Sequence, residues 1–153
     1  MLVNYQVDSL DQKILRRLLQ DARTPFTEIA KELLVSTGTI HQRVEKMKSA
    51  GIIKGYQVNL DPTRLGKPVT SIVGIHLNSA KDCSTVYEAL EKFKEVVEVH
   101  FTTGTYALMI KTVTESIPEF HHFLTAKLQA LKAVRATETF FCLSTPIQRS
   151  VEP

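Results

Sequence analysis

Residues 24–54, TPFTEIAKELLVSTGTIHQRVEKMKSAGIIK, decide the fold because they predict two short helices joined by a tight turn. Thr24 is the expected N-cap of the first helix, and Pro25 is its expected first residue. Ser36 is the expected N-cap of the second helix, which should end at Gly51. The apolar residues predicted to face inward are Phe26, Ile29, Ala30, Leu33, Ile40, Val44 and Met47. Helices this short and this close are typical of a helix-turn-helix.

The second predicted helix carries a polar surface suited to DNA. Gln42 can pair through two hydrogen bonds with adenine, and Arg43 can do so with guanine. Backbone N–H groups at the start of the helix can approach a phosphate, and Lys46 can contact another. The residues predicted to contact DNA are Ser36, Thr37, Thr39, His41, Gln42, Arg43 and Lys46. The alternative from these residues alone is a helical hairpin with an ordinary solvated face.

Composition and charge are those of a soluble protein with a basic first half. Of the 153 residues, 1–60 hold nine Lys and Arg against six Asp and Glu, so the net charge of +3 lies with the candidate motif. No apolar run approaches the ~18 residues of a membrane span, and no signal-peptide pattern opens the sequence, so a cytoplasmic protein is expected. Cys83 and Cys142 are far apart and outside any CxxC pattern, which favours a reducing compartment without a metal site.

Two domains are predicted on either side of residues 61–68, DPTRLGKP, whose two prolines and one glycine mark a linker. In residues 1–60, a helix over 8–20 with a broad apolar stripe completes a three-helix, helix-turn-helix domain with enough surface to bury. Asp8 and Ser9 are its cap candidates, and Gln12 stands at capping-box spacing from Ser9. Residues 69–153 form the second domain.

The second domain reads as strand, helix, strand, strand, helix, strand. The predicted strands are 69–78, 96–103, 106–113 and 134–143, and the predicted helices are 83–94, capped by Asp82, and one that opens with a capping box from Ser116 to Glu119. Val97, Val99 and Phe101 are predicted to share one face. This order is ferredoxin-like, so the fold class is α+β with an antiparallel sheet.

The predicted strands are apolar on both faces, although two helices can cover only one face of the sheet. A second exposed apolar face usually marks an interface. We therefore expect a homodimer formed through the sheet face, with two DNA-reading units related by a two-fold axis. The alternative is that terminal segments of the same chain cover this face.

With both halves in view, the chain resembles the Lrp/AsnC family of feast/famine regulators over nearly its whole length, and most resembles the asparagine-type branch. The segments that carry the resemblance are SLDQKIL, ARTPFTEIAKEL, VSTGTIHQRVEKMKSAGIIKGY, TTGTYALMIK and ATETF. The resemblance implies a transcriptional regulator of the cytoplasm and nucleoid that binds double-stranded DNA. It also implies control by a small amino-acid effector and dimers that assemble into a higher oligomer, such as an octamer.

The resemblance places the effector where dimers meet, around the Thr-Gly-x-Tyr hairpin. The residues it implies are Thr102, Thr103, Gly104, Thr105, Tyr106, Thr137, Glu138 and Thr139, and His100, on a strand face near this pocket, is a further candidate. Backbone amides at Gly104 could hold the carboxylate and Glu138 the ammonium. Many relatives carry an acid where this chain has Ala107, so asparagine, leucine and methionine all remain candidates. The residues alone favour a plain hairpin turn for Thr103-Gly104-Thr105, and only the family resemblance favours a ligand site there. Thr137 and Thr139 are likewise explained by an ordinary edge strand.

Two other functions compete with an effector-controlled regulator. Some proteins similar to this family are sirohaem decarboxylases, but the intact basic recognition helix argues against an enzyme. An architectural DNA-binding protein without an effector is the second rival. His121 and His122 are about 100° apart on a helix and do not converge on one metal ion. No cofactor is therefore expected.

The turn between the two motif helices departs from the family pattern. Relatives commonly have Gly where this chain has Leu34, so that turn is expected to differ.

Overall fold

The computed structural model describes residues 5–153, which form two compact units. One unit contains the chain up to Asn59 together with Ile147–Pro153, and the other contains Leu60–Pro146. The division lies between Asn59 and Leu60, just before the predicted linker 61–68, and Ile147–Pro153, expected in the second domain, belong to the first unit. No helix in the described part of the chain is long and apolar enough to cross a membrane.

The first unit is a bundle of three helices. They are α1 (Ser9–Gln20), α2 (Phe26–Glu32) and α3 (Thr37–Ser49). Their core consists of Ile14, Leu18, Ile29, Ala30, Ile40, Val44 and Met47. Arg17 on α1 adds ion pairs to Glu28 (3.2 Å) and to Glu32 (2.8 Å), which lie on α2. The predicted inward faces are therefore confirmed with one exception: Leu19, predicted to lie in the α1 stripe with Leu10, Ile14, Leu15 and Leu18, is about half exposed.

The helix caps differ in part from the prediction. Asp8 is the N-cap of α1, and Asp11 completes the capping box by accepting from the Asp8 N–H at 3.1 Å; the pair predicted from Ser9 and Gln12 was wrong. Thr24 caps no helix, because its hydroxyl donates to the Asp21 carbonyl while Pro25 flanks α2 in an extended conformation. Ser36 caps α3 as predicted and accepts from the Thr39 N–H at 3.1 Å.

The turn between α2 and α3 is left-handed even though it lacks glycine. Leu34 has φ 56° and is 92% exposed. An L-residue in this conformation carries a steric cost that glycine avoids. The turn therefore keeps the geometry that a glycine would give it, and carries an apolar side chain outward. Gly51, with φ 74°, follows α3 as predicted.

The second unit is a four-stranded antiparallel sheet with its helices on one face. Its elements are β1 (Val69–Leu77), a 3₁₀ turn (Ala80–Asp82), α4 (Cys83–Leu90), β2 (Val96–Phe101), β3 (Leu108–Thr114), α5 (Ile117–His122), a π-helical turn (Phe123–Leu128) and β4 (Val134–Phe141). The strand order is β2-β3-β1-β4, the ferredoxin-like arrangement, so the predicted fold class is confirmed. Val73, Ile75, Leu108 and Ile110 pack against the helices, with Phe123 at the centre of the core.

Three local predictions in this unit need correction. The first helix ends at Leu90, not 94, and Asp82 caps the preceding turn together with Ser79. Ser116 caps α5, but the Glu119 carboxylate accepts from the Glu115 N–H, so the predicted box does not close.

Strand β2 also departs from its predicted alternation. A register shift between Val96 and Glu98 leaves Val97 half exposed, while Val99 packs on the core. Phe101 lies at the sheet edge against Tyr87, with 6.0 Å between ring centroids, and stays more than half exposed. Val97, Val99 and Phe101 therefore do not form one buried row.

Candidate DNA-binding surface and effector site

The exposed face of α3 is centred on Gln42 and Lys46. At about 100° per residue, these two side chains point away from the buried Ile40, Val44 and Met47. Within residues 5–153, neither forms a side-chain hydrogen bond or an ion pair. Both are therefore free to contact a ligand outside the unit, as a base reader and a phosphate contact would require.

The start of α3 is held by its own cap. The Ser36 and Thr39 hydroxyls lie 2.8 Å apart, and Thr37 is exposed beside them. His41 is exposed on the other flank, with its ring edge-on to Phe26 at 5.8 Å between centroids. Gln42 and Lys46 thus lie at the middle of this face. Around them lie four other predicted residues, Ser36, Thr37, Thr39 and His41.

Arg43 does not belong to this face. Its Nη1 atom lies 2.6 Å from Asp8 Oδ2 and 2.9 Å from Asp11 Oδ1, and its side chain is mostly buried beside α1. Hydrogen bonds to Asp8 and then to Asp11 raise the pKa of the guanidinium. The pKa of the Asp8 carboxyl is lowered most by its hydrogen bond from the Asp11 backbone N–H, and next by its hydrogen bond from the Arg43 guanidinium. A single guanidinium nitrogen, Nη1, makes both bonds and holds the side chain against α1, so the geometry gives Arg43 an internal ion pair, and its role as a base reader stays a prediction.

The open face of the sheet, opposite α4 and α5, brings Tyr106 and Glu138 together. The Tyr106 ring lies across Gly74 of β1, and its hydroxyl donates to the Glu138 carboxylate on β4. That hydrogen bond, more than burial, raises the pKa of Tyr106. His76 packs against the same ring at 5.0 Å between centroids. Sequence reasoning missed Gly74 and His76, although the alternation of β1 places both on this face.

Thr137 and Thr139 lie on the other face of the sheet. They pair with Ile75 and Val73, which belong to the core under the helices. Thr137 accepts from the Gln129 side chain at 2.9 Å. Successive residues of a strand point to opposite faces. The structure therefore separates these two threonines from Glu138, with which the resemblance had grouped them.

The hairpin between β2 and β3 is closed at its base and exposed at its tip. The Thr102 N–H donates to the Ala107 carbonyl at 3.2 Å, and the Thr102 hydroxyl donates to the Tyr106 carbonyl. Thr103, Gly104 and Thr105 are exposed. His100 is also exposed on the open face, 3.4 Å from Glu98. The tip thus presents exposed backbone beside the Tyr106–Glu138 pair.

The rest of the open face is apolar with a charged edge. Ile72, Met109 and Val113 are half-buried and Phe140 is half exposed, while Lys111 pairs with Glu98 at 2.9 Å. The prediction of a second apolar face thus holds at the centre of the sheet. No group of three or more His, Cys, Asp or Glu side chains able to hold a metal occurs within residues 5–153.

Comparison with known proteins agrees with this arrangement. Residues 7–48 match the AsnC-type helix-turn-helix domain, and residues 70–152 match the Lrp/AsnC ligand binding domain. Regulatory protein AsnC of Haemophilus influenzae is 49% identical over 149 residues, which cover 97% of this chain and 99% of that protein. The structure of E. coli AsnC is 44% identical with a TM-score of 0.93, covering 97% of this chain and 100% of that one.

A more distant likeness supports the fold alone. A Neisseria meningitidis transcriptional regulator, solved as a complex with L-methionine, is 21% identical with a TM-score of 0.89 and 97% coverage of each chain. Together, the helix-turn-helix unit and the ligand-binding unit define a DNA-binding transcriptional regulator. The chain belongs to the Lrp/AsnC family, and its likeness to the asparagine-type branch is confirmed.

Proposed function

We propose that α3 enters the major groove of double-stranded DNA, with Gln42 reading a base and Lys46 contacting a phosphate. The observation that carries this proposal is that both side chains centre the exposed face and have no partner within residues 5–153. Ser36, Thr37, Thr39 and His41 border the same face and supply the remaining contacts. Gln42 pairs best with adenine, which presents a donor and an acceptor side by side in the major groove.

The second unit binds a small amino acid beside the hairpin tip. Gly104 and its threonine neighbours offer exposed backbone N–H groups for the carboxylate, and Glu138 lies within reach of Tyr106 to receive the ammonium. The L-methionine complex of the Neisseria relative supports an amino-acid ligand. Methionine, leucine and asparagine are the ligands to test. Thr137 and Thr139 act only through the sheet, because they face the core.

Two copies associate through the open sheet face. Ile72, Met109, Val113 and Phe140 form an apolar centre that a second copy would remove from water, and further contacts between dimers would build a higher oligomer such as an octamer. The protein acts in the cytoplasm on nucleoid DNA and regulates transcription without catalysing a reaction.

The DNA half is tested with Gln42→Ala and Lys46→Ala. Gln42→Ala should lose about 1–3 kcal/mol of discrimination against the wrong base, while Lys46→Ala should weaken all sequences alike and reduce the salt slope by about 1. Lys81→Ala, an equal charge change on an exposed turn of the second unit, is the matched control. If Gln42→Ala weakens specific and random duplexes equally, Gln42 does not read a base.

The effector half is tested by a thermal-shift panel of the twenty amino acids, with sirohaem in an added well. A ligand at 100 times its dissociation constant stabilises the bound fold by about 2.7 kcal/mol. Glu138→Gln should abolish the shift, and Glu88→Gln, on the exposed side of α4, should keep it. A panel without any amino-acid shift would favour an architectural DNA-binding protein, and a shift with sirohaem alone would favour an enzyme.

A further inference from the structure

A network of four side chains joins the recognition helix to the start of α1. Arg43, in the middle of α3, places Nη1 between Asp8 Oδ2 (2.6 Å) and Asp11 Oδ1 (2.9 Å). The second oxygen of Asp11 accepts from the Tyr5 hydroxyl at 2.9 Å. Asp11 is only 1% exposed, so its carboxylate depends on these donors for the hydrogen bonds that water would otherwise supply.

The same two carboxylates also cap α1. Asp8 Oδ1 accepts from the N–H groups of Leu10 and Asp11, while Asp11 Oδ2 accepts from the N–H of Asp8. Their positions are therefore fixed by the first turn of α1 before Arg43 reaches them. Arg43 thus binds to a rigid point of another helix, 32 and 35 residues away in sequence.

We propose that Arg43 is a positioning residue, which sets the rotation of α3 about its own axis and so aims Gln42 at the DNA base. This inference rests on the proposed DNA-reading role of α3. The buried Ile40, Val44 and Met47 fix how closely α3 packs, but apolar contacts are not directional. The charge-assisted hydrogen bonds of Arg43 are directional, and they act at one edge of the buried face.

The geometry shows why a small rotation matters. A side-chain tip lies about 6 Å from the helix axis, so a rotation of about 20° moves it by about 2 Å. A displacement of that size breaks a hydrogen bond to a base edge, whose donor–acceptor distance varies by only a few tenths of an ångström. Gln42 is the neighbour of Arg43 in sequence, so it moves with any rotation that the ion pair restrains.

Charge separates this role from a phosphate contact. Two carboxylates lie within 3 Å of the Arg43 guanidinium, so the group as a whole adds no positive charge to the DNA-binding surface. Loss of a phosphate contact lowers the dependence of affinity on salt, because fewer counterions are released. Loss of a positioning residue should leave that dependence unchanged while it reduces discrimination between sequences.

The experiment compares Arg43→Ala, Asp8→Ser and the double variant by fluorescence anisotropy. The probes are a duplex that the wild-type protein selects from a random library and a scrambled duplex of equal length. Serine keeps an N-cap hydroxyl on α1 but removes the charge that Arg43 contacts. Arg17→Ala, which breaks the ion pairs between α1 and α2, is the matched control, and circular dichroism confirms that each variant is folded at the assay temperature.

Arg43→Ala and Asp8→Ser should each reduce the preference for the selected duplex about tenfold, which equals 1.4 kcal/mol. The double variant should lose no more preference than the single variant with the larger loss, because both changes remove the same ion pair. Arg43→Lys should regain part of the preference for the selected duplex, and Arg17→Ala should retain all of it. The salt slope should match the wild type throughout.

Four results would overturn the positioning role. A loss in Arg43→Ala with normal preference in Asp8→Ser would make Arg43 a base reader, and a salt slope reduced by about 1 would make it a phosphate contact. If every Arg43 and Asp8 variant keeps the full preference for the selected duplex while Gln42→Ala loses it, Arg43 has no positioning role. The DNA-reading proposal would then remain intact. A wild-type protein that selects no duplex would overturn the DNA-reading proposal, and the positioning role with it.

Discussion

The close contact between Tyr106 and Gly74 predicts that a larger residue at position 74 displaces the aromatic ring. A Cβ atom at position 74 would lie 2.6 Å from Cδ1 and 2.7 Å from Cγ of the Tyr106 ring. Because Cγ is near the root of a rigid side chain, the ring as a whole has to move off β1. We therefore expect Gly74→Ala to separate the Tyr106 hydroxyl from Glu138 and to destabilise the second unit.

The size of the effect follows from two opposing contributions. Overpacking costs about 1–3 kcal/mol, and replacing glycine within a strand regains about 0.5–1 kcal/mol. The net loss in the free energy of unfolding should lie between about 0 and 2.5 kcal/mol, with about 1 kcal/mol at the midpoints of the two ranges. For a unit of the size of Leu60–Pro146, each kcal/mol lowers Tm by about 4–8 °C.

The assay is urea unfolding of four proteins: the wild type, Gly74→Ala, Tyr106→Ala and the double variant. If the ring is the obstacle, alanine at position 74 should cost nothing or be slightly stabilising once Tyr106 is absent. Tyr106→Phe is the control, because it removes the hydrogen bond to Glu138 but keeps the clash. Equal cost of Gly74→Ala with and without the ring would refute the reasoning, since additive effects mean that the two sites do not interact.

Three further changes test other features. Leu34→Gly should raise the free energy of unfolding of the first unit by about 0.5–1 kcal/mol, because it relieves a left-handed leucine without loss of packing; an unchanged urea midpoint would contradict this. Lys127→Ala should lower the free energy of unfolding by about 2 kcal/mol at pH 7, because it leaves the Glu95 carboxylate, which is 4% exposed, without its ion-pair partner. The loss is smaller than for a fully buried ion pair, because Lys127 itself is one-third exposed. Burial is the largest single influence and raises the Glu95 pKa, but the Lys127 hydrogen bond, a backbone hydrogen bond and the charges of Lys127 and Lys94 together outweigh it. The folded pKa therefore lies below the usual 4.5, so the stabilisation is present above 4.5 and is lost as pH falls through the folded pKa. The deficit of the variant should accordingly shrink in urea titrations below about pH 4.5, and a deficit independent of pH would exclude this explanation. Phe140→Asp should lower the dimer fraction in analytical ultracentrifugation, and a wild-type protein that is monomeric at micromolar concentration would rule out the sheet-face dimer.

Much of the fold was predictable because it follows from periodic burial. Ile29, Ile40 and Val44 recur at helical spacing, and the core side of β1 and β3 alternates as a half-buried strand should. Caps were predictable only in part. Ser36 was identified by the apolar period of the helix that follows it, whereas Asp8 and Ser9 are adjacent and both able to cap; in the structure Asp8 caps α1 and also bonds Arg43.

The site was harder to predict because its partners are distant in sequence. An arginine on a helix predicts equally an exposed base reader and an internal ion pair, and only the packing of α1 on α3 decides for Arg43. The contact between Gly74 and Tyr106 likewise requires the register of three strands and the course of a hairpin. The separation of Glu138 from Thr137 could have been deduced, because residues next to each other in a strand face opposite ways.

The discontinuity of the first unit has a consequence for the order in which the protein is made. Domains generally fold as units while the chain is synthesised from its N-terminus. All residues of the three-helix core precede residue 54, so the core can form early. The groove between α1 and residues 148–153, lined by Arg16, Leu19 and Gln20, can close only after the whole of Leu60–Pro146 has left the ribosome. During translation, the first unit is therefore begun before the second unit and completed after it.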